Sequence, residues 1–431
     1  MARRPNKRKP NIVGAVVLVL LLAGAAAVVM MRLPGAGKQH VVTPTASPSA
    51  PQSSAGVSAP VNTAPGEIVE MTSPSPDIEA EPEYFVVSMV GDCTLSASKD
   101  KLGWGIGFQM TVGNDYAYPF ANTKQFLSDD YLTIANLECS LSDKSYSSIE
   151  QFSFLGKAAY ANILSEGSVE FVTLANNHTL DFGKGAYNDT AAALDAVGVA
   201  YAGEDECYLY QTDGGLKIGL YCLYNGLTGN ALSQISASSR EKLVAESKQM
   251  IDRAVKDLAD LGAEYTIACL HMGTEGNYET SDVQVELCRY AIDAGFGCVY
   301  CTHAHRLQPA ELYGDGIIFY GLGNWVFGGH TNPGNGKDPA SYDTGIAQIT
   351  LCRLGDSVTL DSYSFIPCSI SSKLNPDNGV PGVNTLNNYQ PMPYTEGGDA
   401  WKRAMSIISG TYEGANYTVG NYWDILSALG G

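Results

Sequence analysis

The sequence predicts an α/β sandwich, on three observations. Strand-like apolar runs alternate with amphipathic helical stretches from about residue 84 to residue 300. Directly behind those runs stand Asp92, Glu138, Asn177, His178, His271, His303 and His305, at the strand ends where an α/β sheet gathers its ligands. Finally, 431 residues with 45% hydrophobic content suffice for one large globular body with appendages.

The chain opens on a basic tail, residues 1–11, carrying Arg3, Arg4, Lys7, Arg8 and Lys9. Residues 12–31 are free of charge, long enough at about 1.5 Å per residue to cross a hydrocarbon core of about 30 Å. The reading is an uncleaved transmembrane anchor with its amino terminus cytoplasmic and the main body extracellular. The alternative is a signal peptide cut near Ala25-Ala26-Ala27. Residues 32–82, rich in Pro, Ser, Ala and Thr, have too little apolar surface to offset ordering entropy and read as a disordered stalk.

Seven of the 26 Lys and Arg, and none of the 45 Asp and Glu, fall in residues 1–66, which leaves 19 against 45, a formal −26. So acidic a body has no basic stripe for nucleic acid, and that partner class is excluded. The ten cysteines are not spaced as a small stapled scaffold. Cys222, Cys269 and Cys298 lie inside apolar runs as small buried hydrophobes. Cys298 and Cys301 form a C-x-x-C within a strand, with no helix start behind the first cysteine, which argues against a redox role.

The first strand runs from Tyr84 into Gly91-Asp92, Gly permitting the turn that presents the carboxylate. A helix is expected over 119–127, then a strand from Tyr131 that ends in Asn136-Leu137-Glu138. The run 169–174 is a strand followed by the loop Ala175-Asn176-Asn177-His178-Thr179-Leu180-Asp181. There Asn177 beside His178 suits metal ligation with transition-state protonation. Asp181 either caps the turn or orients His178. A helix over 185–197, a strand over 216–223 and a helix over 239–261 lead to the strand 264–270 and His271. A helix over 283–294 and a strand over 297–300 lead to His303 and His305, two imidazoles at i and i+2 that either share a direction or diverge to neighbouring ions. Strands over 307–312, 316–321, 345–354 and 358–365 read as antiparallel hairpins. One helix, 399–408, is expected in the remainder.

Mixed carboxylate, amide and imidazole donors suit two divalent ions such as Mn, Fe or Zn rather than calcium. One carboxylate commonly bridges such a pair, and the chemistry fits hydrolysis of phosphate esters or amides. At this point the chain resembles the poly-γ-glutamate capsule-biosynthesis (CapA-like) family, which is similar in fold to calcineurin-like metallophosphoesterases. The matching pieces run in family order. They are Gly91-Asp92, Asn136-Leu137-Glu138, Asn176-Asn177-His178 with Asp181 and Gly183, His271-Met272-Gly273 with Glu275, His303-Ala304-His305 with Gln308, and Leu322-Gly323-Asn324-Trp325.

The resemblance implies a four-layer α/β/β/α metallophosphoesterase-like sandwich over residues 83–368, with 369–431 as a C-terminal extension. It implies Asp92, Glu138, Asn177, His271, His303 and His305 as metal ligands, Glu138 in the bridging place, and His178 as the acid or transition-state stabiliser; with Asp181 from the residue reading, His178 and Asp181 are the candidate catalytic residues. Three positions depart from the family pattern: Met272 stands for Trp, Cys301-Thr302 for Gly-His, and Thr94 where a calcineurin-like enzyme has a histidine. Two functions follow from the resemblance. One is a membrane-anchored hydrolase acting on poly-γ-glutamate, a related cell-envelope polymer or a phosphoester. The other is a non-catalytic polymer-binding assembly or export factor working with other capsule-synthesis membrane proteins.

Overall fold

A computed structural model describes residues 81–97, 102–148, 152–329, 338–379 and 385–417. The expected anchor at 12–31 and nearly all of the stalk lie outside the described residues. Among the described residues no helix is long and apolar enough to cross a membrane.

Among the described residues sixteen strands form two large sheets and one small pair. They are β1 (Glu83–Thr94), β2 (Leu132–Leu137), β3 (Ser140–Leu141), β4 (Leu155–Gly156), β5 (Phe171–Thr173), β6 (Ala200–Ala202), β7 (Glu206–Gln211) and β8 (Lys217–Leu223). The chain continues through β9 (Tyr265–Met272), β10 (Cys298–His303), β11 (Ala310–Tyr313), β12 (Gly316–Phe319), β13 (Asn324–Phe327), β14 (Asp343–Leu354), β15 (Ser357–Ser369) and β16 (Met392–Pro393). The first sheet has the order β16-β15-β14-β1-β2-β5-β6, with β13 also pairing with β1; the second has the order β11-β12-β10-β9-β8-β7. The longer helices are α1 (Leu102–Val112), α2 (Gly183–Val197), α3 (Ala237–Asp260), α4 (Asp282–Ala294) and α5 (Asp399–Ile408).

Side-chain alternation assigns the layers. Phe85, Val87 and Met89 of β1 and Leu132 and Ile134 of β2 meet Ile218, Leu220, Ile267, Cys269, Cys298 and Tyr300 of the second sheet in one core. The opposite face of the first sheet, with Val90, Ala135, Leu137 and Val172, packs on Phe108, Ala193 and Leu194 of α1 and α2. The opposite face of the second, with Tyr221, Ala268, Leu270, Val299 and Cys301, packs on Val244, Ile251, Leu258, Leu287 and Ala291 of α3 and α4. The result is two sheets face to face with helices on each outer surface, a mixed α/β architecture as expected.

Several elements differ from the sequence reading. The stretch expected as one helix over 119–127 is a 3-10 turn, Tyr118–Phe120, and one α turn, Lys124–Leu127; Pro119 supplies no amide hydrogen, so it starts a turn but cannot sit inside a helix. Strands β9 and β10 run on to include His271 and His303 rather than ending before them. Helix α1 went unseen because Gly103, Gly105 and Gly107 mask any helical pattern.

The hairpin β14–β15 is antiparallel as read. Residues from the C-terminal part complete the inter-sheet core: Ala404, Met405, Ile407 and Ile408 of α5 belong to it. Arg403 donates to both oxygens of the buried Asp343 carboxylate (2.7 Å each), which also accepts from the Tyr394 hydroxyl at 2.7 Å. A buried charge so fully paired is costly to break, by about 3–5 kcal/mol when one partner is removed.

Candidate metal centre

The site lies where the inter-sheet core changes from apolar to polar. On β2 the inward stripe Leu132, Ile134 continues as Asn136 and then Glu138; on β9 Ile267, Cys269 continues as His271; on β10 Cys298, Tyr300 continues as Thr302. Strand β1 reaches the same place through an irregularity between Met89 and Asp92. Gly91 is required there, because a Cβ would fall 2.1 Å from the Gly323 carbonyl oxygen. That carbonyl accepts the Asp92 amide hydrogen at 2.9 Å.

Asp92 stands in register with Asn136 of β2 on one side and Asn324 of β13 on the other. The Asn136 amide donates to Asp92 Oδ1 (2.8 Å) and to Glu138 Oε2 (3.2 Å). Asn136 is held in turn by Asn176, whose amide donates to its Oδ1 at 3.0 Å and to the Leu137 carbonyl at 2.9 Å. One carboxylate oxygen is left over. Glu138 Oε1 is buried without a hydrogen-bond partner, and Nε2 of His178, His271 and His305 lies 3.9, 3.8 and 3.8 Å from it.

Two groups of ligand atoms share Glu138: Glu138 with His271 and His303, and Asp92 with Glu138 and His305, each set mutually within 4.8 Å. Asn177 Oδ1 joins the first group, 2.7 Å from His271 Nε2. The i, i+2 histidines diverge. Both have positive φ, 98° at His303 and 51° at His305, so the chain twice leaves the extended conformation that would aim them alike. His303 offers two buried ring nitrogens with no partner. His305 Nδ1 faces Asn324 Oδ1 at 2.9 Å and Asp92 Oδ2 at 3.1 Å. Aromatic rings wall the cluster, Phe154 against His178 (4.7 Å), Phe327 against His305 (4.9 Å) and Tyr224 against His271 (5.7 Å).

Burial dominates the proton affinities. It holds His271 and His303 well below the ordinary imidazole range, with neighbouring histidines adding to the effect. Neutral imidazole is the ligating form. Burial, then the Asp92 carboxylate, holds Glu138 well above the ordinary carboxyl range. At His305 burial is outweighed by Glu138 and Asp92, which raise it to about 9. An unpartnered buried oxygen facing three imidazole nitrogens, beside a fourth imidazole without partners, is a donor set that fits divalent cations.

All eight residues singled out from the sequence converge here. His178 Nδ1 meets Asp181 Oδ2 at 3.0 Å, and the same oxygen accepts from the Phe154 amide at 3.0 Å, so Asp181 both ties down a loop and orients the ring. Thr94 donates its hydroxyl hydrogen to the Glu138 carbonyl at 3.2 Å. Sequence reasoning gave no role to Asn136, Asn176, Asn324 or Thr302. Asn136 carried a usable signal, since it stands two residues before Glu138 on the same strand face. Thr302 is in register with His271 across β9 and β10, and its hydroxyl meets His271 Nδ1 at 2.8 Å.

A mixed α/β body with a carboxylate–imidazole cluster between its sheets is the class of protein at hand. Residues 86–329 match the family described as "Bacterial capsule synthesis protein PGA_cap", and the chain belongs to it. It is 24% identical over 258 residues to the "Capsule biosynthesis protein CapA" of Bacillus anthracis, covering 57% of this chain and 61% of that protein. It is 29% identical over 172 residues to the "PGA biosynthesis protein CapA" of Bacillus subtilis (strain 168), covering 38% and 44%. The matches thus span less than two thirds of either relative. A solved structure, the calcineurin-like phosphoesterase YfkN from Bacillus subtilis, aligns over 67% of this chain and 91% of its own, with a TM-score of 0.36 and 10% identity.

Proposed function

We propose that this chain is a dinuclear metal-dependent hydrolase of the cell envelope, acting in the synthesis or processing of poly-γ-glutamate or a related polymer. The names of the two relatives speak of capsule and PGA biosynthesis. The observation that carries the reading is Glu138 Oε1, buried, unpartnered and shared by two sets of ligand atoms. Asn177, His271 and His303 would hold one divalent ion, Asp92 and His305 the other, with Glu138 between them; Mn, Fe and Zn suit this donor set. Bound there, the pair would supply a water that is nucleophilic near neutral pH and stabilise developing negative charge.

The chain's own residues do the remaining work. Asp181 on Nδ1 fixes the His178 ring so that Nε2 faces the cluster, 3.9 Å from Glu138 Oε1. From there an imidazolium donates its Nε2 proton to a leaving group, while the carboxylate compensates the charge. Phe154 packs on the same ring and limits its rotation. The anchor at residues 12–31 would hold the body on the outer face of the cell membrane, next to other capsule-synthesis membrane proteins.

The test uses the full-length chain extracted in detergent. Elemental analysis should give about two transition-metal equivalents, and turnover of poly-γ-glutamate or a chromogenic phosphodiester should depend on them. The His303→Ala variant should lose metal while staying folded. Retention of polymer by a chain that binds no metal after supplementation would refute the hydrolase and leave a polymer-binding assembly factor.

A further inference from the structure

The C-x-x-C of β10 does not close on itself, because Cys298 and Cys301 stand on opposite faces of the strand. Cys298 belongs to the core between the sheets and Cys301 to the core beneath α3 and α4. In that outer core Cys301 meets Cys288 of α4, with the two Sγ atoms 3.3 Å apart and both residues buried. Both are thiols in this structure. Each reaches the contact from an element whose position is set elsewhere. Helix α4 starts on a capping box, Ser281 with Gln284, and the Gln284 side-chain amide donates to the Tyr320 carbonyl at 2.7 Å and to Gln308 at 2.9 Å. Cys288 follows one turn later on the same buried face. Strand β10 is in parallel register with β9, Cys301 opposite Leu270.

Two thioether contacts nearby are longer: Met272 Sδ is 4.0 Å from Cys288 Sγ, and Met89 Sδ is 4.0 Å from Cys298 Sγ. Two thiolates that share a metal at about 2.3 Å stand roughly 3.8 Å apart, so the 3.3 Å contact suits a covalent bond better than an ion. Cys222 and Cys269 make a second candidate pair, in register on the parallel strands β8 and β9. Side chains in register there project in parallel from strands about 4.8 Å apart, beyond the Cβ separation of about 3.8 Å that a disulfide requires. We propose that Cys288 and Cys301 are a disulfide-forming site, which pins β10 to α4 one residue ahead of Thr302, the partner of His271. The oxidant is a disulfide carrier of the cell exterior. One cysteine thiolate attacks a carrier sulfur and displaces the other, and the second thiolate then attacks the mixed disulfide. Two protons and two electrons leave with the reduced carrier. Burial, then the Cys301 contact, holds the Cys288 thiol well above the ordinary range. Exchange therefore belongs to folding, before α4 covers β10, and the closed bond is afterwards shielded from reductants. The supply of oxidant rests on the extracellular placement proposed above; the pairing does not.

The experiment takes the full-length wild-type chain from two sources, cell-free synthesis in detergent with oxidised glutathione and the membranes of the cell that makes it. Free thiols are alkylated during denaturation, the chain is reduced, and the newly exposed thiols receive a second, heavier label before peptide mapping; a non-reduced digest identifies each partner. Cys288 and Cys301 should carry the second label in both preparations, and the remaining eight of the ten cysteines the first. First label on Cys288 or Cys301 in the cell-free chain overturns the proposal, as does pairing of either with another cysteine. A metal shared by the two thiolates would give that same first label. A bond present in the cell-free chain and absent from the membranes supports the pairing and refutes the extracellular placement. A phosphine reductant should lower the unfolding temperature of the oxidised chain by about 5 °C, the scale for a loop whose ends are 13 positions apart, and should leave that of Cys288→Ala unchanged. An equal shift in both chains would place the reduced bond elsewhere and overturn the proposal.

Discussion

Thr302→Val isolates the support of one imidazole from the imidazole itself. His271 is 1% exposed and Thr302 4%, and their side chains meet at 2.8 Å. With Asn177 Oδ1 at 2.7 Å from Nε2, that nitrogen carries the proton in the absence of metal, and the hydroxyl donates to Nδ1. Were Nε2 to hold a metal, the other tautomer would be required, and Nδ1–H would donate to the hydroxyl oxygen. A hydroxyl serves both states because it donates and accepts; valine, of nearly the same shape, serves neither. A buried polar atom left unpaired costs about 1–3 kcal/mol, and losing the outer partner of a ligating histidine typically weakens metal binding about 10–100-fold. Titration against a chelating dye should show that loss for one ion and little for the other, while Thr302→Ser retains wild-type affinity. A valine variant that binds both ions like the wild type would show that the contact does not hold His271 in place.

Replacing His178 by Asn should leave the metal content intact and lower turnover by about 10²–10⁴-fold; undiminished turnover would remove His178 as the acid. Chelation should lower the unfolding temperature, and graded re-addition of free metal should restore it, the folded state gaining about 2.7 kcal/mol per site at one hundred times Kd. Burial, with Asp130 adding, pushes Glu170 up to about 7 against the backbone hydrogen bond from Thr133. A raised carboxyl binds its proton more tightly in the folded chain, so its stability is full below the unfolded value near 4.5 and is lost as pH rises through about 7. Glu170→Gln should therefore flatten the fall in stability between pH 5 and pH 8 and gain about 1–2 kcal/mol at the upper end. An unchanged slope in urea titrations would contradict this.

How much of this was legible in the sequence follows from what each feature depends on. The strand–helix alternation and the residues behind the strands are local, so Asp92, Glu138, Asn177, His178, His271, His303 and His305 could be read directly. The i, i+2 spacing of His303 and His305 is compatible with either a shared or a divergent direction, because the divergence depends on two positive-φ backbone positions that non-glycine residues rarely adopt. Asn324 and Asn136 flank Asp92 only through strand register, across β13 and β2, although they stand 188 positions apart in the sequence. No local pattern encodes that register. The 3-10 turn at Tyr118–Phe120 and the short strand β6 likewise owe their form to packing.

The two sheets contribute unlike halves of the centre. The first supplies Asp92 and Glu138, with Asn177 and His178 behind β5; the second supplies His271, His303 and His305. Neither half alone is a site: carboxylates without imidazoles would leave Glu138 buried and unpaired, and imidazoles alone would be a cluster of neutral rings. The shared apolar core brings them together, and direct ties fix the spacing close by, with the Tyr300 hydroxyl donating to the Val90 carbonyl at 2.5 Å two residues before Asp92. Cations bound between the halves would link the sheets at the end where apolar contact stops. In the proposed reaction the residues that would position a reacting water would then also close the sandwich, a physical reason for so polar a cluster to stand at the edge of its core.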